Sequence, residues 1–153
     1  MPRGSDQQEP GIVTMMDDLE AGEIAQAWAL ACCETLATRD VEGHMNLISR
    51  RVKVYGLAEF DFVDYNFWLN QVNEQFATGM VMSLRYDLSA VKVDSDTQIR
   101  FTAVEYMTDK DGAEHENPLL VVLSKEADGV WRATEEKILT KDEAQSAGLS
   151  RLH

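Results

Sequence analysis

From Met80 onward the chain alternates apolar and polar residues for long stretches, and two Asp-Gly pairs, Asp111-Gly112 and Asp128-Gly129, interrupt it. Alternation with a period of two is the mark of a half-buried strand, because successive side chains point to opposite faces. Asp-Gly between such runs marks a tight hairpin, since glycine takes up positive φ without strain. The gaps between these runs are too short for a crossover helix, so the late strands must be antiparallel neighbours rather than parallel βαβ units. Met82, Leu84, Tyr86 and Leu88 share one face against Ser83, Arg85 and Asp87, and Val91 and Val93 continue beyond an expected bulge. After Asp94-Ser95-Asp96, Ile99, Phe101, Ala103, Glu105 and Met107 stand opposite Arg100, Thr102, Val104 and Tyr106. Leu119 to Ser124 is apolar on both faces, so that strand should be central. A last strand is expected over Val130 to Leu139.

The first half reads differently. Between Asp17 and Thr38, Ile24, Trp28, Ala31 and Thr35 recur at helical spacing, with Ala25, Cys32 and Leu36 broadening the stripe. Asp17 or Asp18 is the expected N-cap. Asp40 can cap a short second helix on which Val41, His44 and Ile48 share a side. A strand is expected over Arg51–Leu57 and an aromatic loop over Ala58–Val63. A third helix should run over Asp64–Ala77, striped by Tyr65, Trp68, Leu69, Val72 and Phe76, with Gly79 ending it. Helices early and antiparallel strands late give an α+β fold. The expected layout is a flexible N-terminal tail over 1–16, one domain over 17–140 and a polar, briefly helical C-terminal tail over 141–153.

Charge excludes some functions. The chain has 14 Lys+Arg against 27 Asp+Glu, a net charge of −13. Binding to phosphate backbones needs clustered cations that displace counterions, so no nucleic-acid partner is expected. Anionic lipid surfaces are disfavoured for the same reason. No apolar run approaches the roughly 18 residues of a membrane span, and no signal-like start is present, so a cytoplasmic location is expected. The only cysteines, Cys32 and Cys33, are adjacent; a disulfide between them would be strained, and they read as apolar thiols. The three histidines are far apart, which gives a metal no evident ligand set, and no phosphate loop, dinucleotide fingerprint or nucleophile elbow occurs. Neither metal nor cofactor is expected.

Three short segments point to a known family. Thr38-Arg39-Asp40-Val41-Glu42-Gly43 resembles a helix, acidic cap and short helix; Val52-Lys53-Val54-Tyr55-Gly56 resembles a first strand; Asp128-Gly129-Val130-Trp131-Arg132-Ala133 resembles the Gly-x-Trp opening of a last strand. With the order of elements over roughly 17–140, the chain resembles the nuclear transport factor 2-like (SnoaL-like) superfamily. That resemblance implies a cone: a strongly curved, mostly antiparallel sheet with three helices on its concave face, an internal pocket, and homodimers through the open sheet face. It implies a range of functions too, from isomerases, dehydratases and polyketide cyclases to small subunits of ring-hydroxylating dioxygenases and members without known catalysis.

The candidate chemistry centres on Glu105, which interrupts an apolar face. A carboxyl buried there would have its pKa raised, as general acid–base work requires. The competing reading has Glu105 near the strand end, in solvent or paired with a cation. Tyr86, Tyr55 and Tyr65 could donate to a bound carbonyl or serve as core. Asp61, after the first strand, lies where some relatives keep a catalytic carboxylate. Glu135 and Lys137 are expected on one face of the last strand with Trp131, as pocket groups or as an ion pair. Many relatives favour His near these positions, so a His-dependent mechanism loses support. His44 is either a pocket group or packed; His115 should meet solvent. The ligand-binding set is Trp28, Tyr55, Tyr65, Trp68, Phe101 and Met107, around a small apolar or aromatic molecule. Two functions follow: a metal-free isomerase, dehydratase or cyclase acting by proton transfer, or a non-catalytic dimerisation or accessory-subunit module using the face of Arg85, Arg100, Thr102, Val104 and Tyr106. A hollow cone with Glu105 inside would favour the first.

Overall fold

The computed structural model describes residues 16–149; the expected N-terminal tail lies outside them except for Met16, which packs against the core. The order is α1 (Asp18–Ala37), α2 (Val41–Met45), β1 (Ile48–Tyr55), α3 (Tyr65–Thr78), β2 (Val81–Ser95), β3 (Gln98–Asp109), β4 (Glu114–Lys125), β5 (Trp131–Ile138) and α4 (Lys141–Ser146). The fold is α+β, and a single curled, unclosed sheet carries it in the order β1-β5-β4-β3-β2. The doubly apolar strand, β4, is central. Every pairing is antiparallel except β1 with β5, which the chain reaches only after passing through α3 and three strands.

Local chemistry sets the boundaries. Asp17, Asp40 and Asp64 each accept a backbone N–H from the first turn of their helix, at 2.8, 2.9 and 3.1 Å. Gly79 ends α3 in the left-handed region at φ 68°. β1 starts three residues earlier than expected, because Ile48 is core and Ser49 binds Glu126 at 2.7 Å. Gly56, at φ 93°, passes so close to the Ile138 carbonyl that a Cβ has no room there.

Several register shifts interrupt the sheet, and two of them bear on which face the later side chains take. In β2 the register shifts between Ser89 and Lys92, with Ala90 at φ 51°, where the sequence placed a bulge. In β5, Val122 faces Glu135 and Leu123 faces Ala133, so Thr134 is the extra residue. Its hydroxyl is held by Ser124 at 2.9 Å. One inserted residue exchanges the two faces of everything beyond it.

The core lies between the helices and the inner sheet face. Phe101, Ala103, Ile99, Val121, Leu123 and Ala133 are fully enclosed under Ala21, Ala25, Trp28, Cys32 and Leu36 of α1. Each large apolar side chain buried this way contributes about 1.5–3 kcal/mol. Beyond the expected domain end, α4 carries a complete capping box on Thr140 and Glu143. It helps form a second, outer cluster of Ala144, Leu149, Val104, Tyr106 and Leu139. The centre of the sheet face expected to stay open for a partner is therefore covered by the chain's own C-terminal helix. Among the described residues no helix is long and apolar enough to cross a membrane.

Candidate functional site

The cone is hollow. A cavity of about 150 Å³ lies beneath α1, between α3 and the inner face of the sheet. α1 supplies Trp28, Cys32 and Leu36; α3 supplies Trp68, Val72, Gln75 and Phe76; β2, β3 and β5 supply Tyr86, Glu105, Met107 and Glu136 among others. His44 of α2 completes the wall.

Glu105 faces this space because β3 keeps its alternation: its neighbours Ala103 and Met107 point the same way. The register sets it between Tyr86 on β2 and Asn117 on β4. Directly opposed residues on one face touch, and here they hydrogen-bond. The Tyr86 hydroxyl donates to Glu105 Oε2 at 2.7 Å, and Asn117 Nδ2 donates to Oε1 at 3.3 Å. Burial raises the Glu105 pKa, while these two donors work in the opposite direction by favouring the ionised form.

Glu136 is the residue that sequence reasoning missed. The Thr134 bulge turns it inward and sends Glu135, the expected pocket residue, to the opposite face, where it pairs with Val122. Glu136 is only 8% exposed, and its carboxyl has no hydrogen-bond partner among the described residues. Burial, reinforced by the Glu105 charge, pushes its pKa well above the ordinary carboxylate value. The two carboxyls are thus unequal: burial raises both, but only Glu105 has donors that offset part of the rise.

The remaining polar groups fit around them. Thr35 Oγ1 spends its single proton on the Ala31 carbonyl at 2.8 Å, so His44 Nδ1 donates to Thr35 at 2.7 Å. Nε2 then carries the lone pair. Burial lowers the His44 pKa to about 4, so the ring is neutral at physiological pH. The Cys32 thiol is pushed well up by burial and then by Glu136 and Glu105, which keeps it from acting as a thiolate. The Tyr86 phenol is likewise raised by burial and Glu105, and stays a donor.

Of the other expected residues, Trp28, Trp68 and Met107 line the cavity. Trp28 is anchored by Nε1 on the Leu47 carbonyl at 3.0 Å. Phe101 is fully buried core behind Trp28, its ring edge-on at 6.1 Å, and does not line the space. Tyr55 turns away from it and packs on Phe62. Tyr65 lies under the Arg50 guanidinium at 4.7 Å, in a separate polar surface cleft. Asp61 is exposed in the aromatic loop. Lys137 pairs with Glu143 of α4 at 2.6 Å, away from the cavity. His115 is exposed beside Asp109.

Comparison with solved structures settles the architecture. An NTF2-like protein of unknown function from Shewanella oneidensis MR-1 superposes with a TM-score of 0.65 at 10% identity, over 76% of this chain and 96% of that one. The fold is nuclear transport factor 2-like. A scytalone dehydratase-like protein from Novosphingobium aromaticivorans DSM 12444 matches at TM-score 0.63 and 12% identity, covering 81% and 86% of the two chains. A ketosteroid isomerase-like protein from Erwinia carotovora atroseptica matches at TM-score 0.55 and 16% identity, covering 75% and 92%. No protein-family model matches the sequence, and no curated protein matches it significantly. At these identities the NTF2-like cone is what the chains share, and any chemistry must come from this chain's own residues.

Proposed function

We propose that this chain is a small-molecule enzyme of the isomerase or dehydratase class, working by proton transfer inside the cone. The observation that carries this reading is the pair of unequal carboxyls, Glu105 and Glu136, in one cavity that aromatic and aliphatic side chains share with a few polar groups. Glu105 is the base: Tyr86 and Asn117 fix its carboxylate on the sheet. Glu136 is the acid, with a proton held by burial and no protein acceptor for it. A C–H next to a carbonyl would give its proton to Glu105, and the electron pair would move to the carbonyl oxygen. Glu136 would donate to that oxygen as its charge grows, which is where a preorganised donor acts most strongly. Return of the proton from Glu105 to another carbon completes an isomerisation; its delivery to a departing β-hydroxyl, which leaves as water, completes a dehydration.

The cavity is small. A cavity of about 150 Å³ accepts a molecule of about benzene's size, so the substrate has one ring or a short branched skeleton. The alternative, an accessory module docking through its sheet face, draws less support because α4 already covers Val104 and Tyr106. A homodimer would have to use the flanks that α4 leaves, near Arg85 and Arg100.

The test is deuterium exchange in heavy water, followed by NMR on small cyclic ketones with and without an amino group. Exchange above the solvent rate that falls at least a hundredfold in Glu105→Gln supports the reading. Exchange that is unchanged in that variant, or absent throughout the series, refutes it.

A further inference from the structure

The cavity's hydrogen-bonding inventory is one-sided. Tyr86 and Asn117 already use their donor groups on Glu105. What remains open is mostly acceptor: the Glu136 carboxyl, the second lone pairs of Glu105, the lone pair of His44 Nε2 and the oxygen of the Gln75 amide, whose NH2 is an open neutral donor. No Lys or Arg is among the described residues lining the space. Arg39 lies beyond the wall, 6.0 Å from the Phe76 ring, with its guanidinium spent on the Leu36 and Val81 carbonyls. Buried carboxyls are ordinarily matched by a cation or by donors. Here Glu136, more than nine-tenths buried, has neither.

We infer that the cavity binds a small organic cation: a protonated primary amine on an apolar body of one ring or less. An ammonium group has three donors and no acceptor; it complements Glu105 and His44 Nε2 directly, and Glu136 once the incoming charge has displaced the Glu136 proton to solvent. Trp28, Trp68 and Tyr86 supply apolar walls for the body and aromatic surface that tolerates positive charge. A carboxylate or phosphate ligand would meet like charge and no cation. This inference rests on the cavity being the ligand site, as proposed above, but not on any catalysis there.

Isothermal titration calorimetry near pH 7.5 with cyclopentylamine, cyclopentanol and cyclopentanecarboxylate tests it, since the three share a ring and differ in charge. The expected result is binding of the amine at least tenfold tighter than the alcohol, and no detectable binding of the acid. Glu136→Gln should weaken the amine at least tenfold and leave the alcohol unchanged. That variant also controls for loose attraction to the acidic surface, which it leaves intact. Alcohol or acid binding as tightly as the amine, an amine affinity indifferent to Glu136→Gln, or no binding by any of the three would overturn the inference. Amine binding without deuterium exchange would instead reject the catalytic reading and leave this one standing.

Discussion

The two faces of the sheet treat charge in opposite ways. On the outer face and its rims, Arg85 meets Glu114, Arg100 meets Asp94, and Lys137 meets Glu143, all at least partly in solvent. Such pairs are worth about 0–1 kcal/mol each and answer to salt. On the inner face two carboxyls lie among aromatic and aliphatic side chains, with neutral donors on Glu105 and no Lys or Arg among the described residues lining the space. Glu135 and Glu136 make the contrast within one strand: adjacent in sequence, they face opposite sides. Charge outside the cone is a matter of solubility. Inside, it costs stability and is retained where a ligand or a proton can use it.

The largest test of that contrast is steric. Phe101→Ala on the inner face should destabilise the fold by about 3–5 kcal/mol in denaturant unfolding. A loss under about 1 kcal/mol would mean that the inner layer is loosely packed and the cavity ill defined.

Next comes His44. Its folded-state pKa of about 4 lies below the ordinary 6.5, so its contribution is present above pH 6.5 and is lost as pH falls toward 4. That contribution is on the order of 3 kcal/mol. His44→Asn keeps a donor for Thr35 but cannot titrate. Its unfolding free energy should therefore fall less than wild type between those pH values; equal slopes would show that His44 is hydrated.

Glu136 has the opposite sign. A carboxyl whose folded pKa is raised contributes stability below its ordinary value of 4.5 and loses it as pH climbs toward the folded value. Glu136→Gln should therefore be more stable than wild type near pH 8 by about 1–3 kcal/mol, with the gain fading near pH 4. Smallest of all, Arg85→Ala on the outer face should change stability by less than about 1 kcal/mol, and less still in high salt.

Much of this was legible in sequence. The Asp-Gly turns and the alternation of β2 and β3 are local signals, and they place Glu105 on the cavity side because β3 itself is regular from Ile99 to Met107, the extra residue at the β2–β3 shift belonging to β2. The doubly apolar β4 announces its central place for the same reason. Glu136 was hidden by Thr134: a bulge is a tertiary accommodation, and a single extra residue reverses the parity on which face assignment depends. Phe101 and Tyr55 misled differently, since an aromatic on the inner face can be wall or filling, and only packing against Trp28 or Phe62 decides. The Asn117 contact became readable only with the β3–β4 register. The covering of Val104 by α4 depends on a polar C-terminal segment whose few apolar residues, Ala144 and Leu149, carry little pattern.

The central claim is that Glu136 keeps its proton inside the cone at neutral pH. Carbon-13 labelling of the glutamate carboxyls, with the Glu136 resonance assigned by its absence from Glu136→Gln, measures this directly. A resonance that stays at the protonated position through pH 7 is the expected result. A resonance that has completed its ionisation by about pH 5 would mean that Glu136 is hydrated or paired, and that the cavity holds no acid to donate.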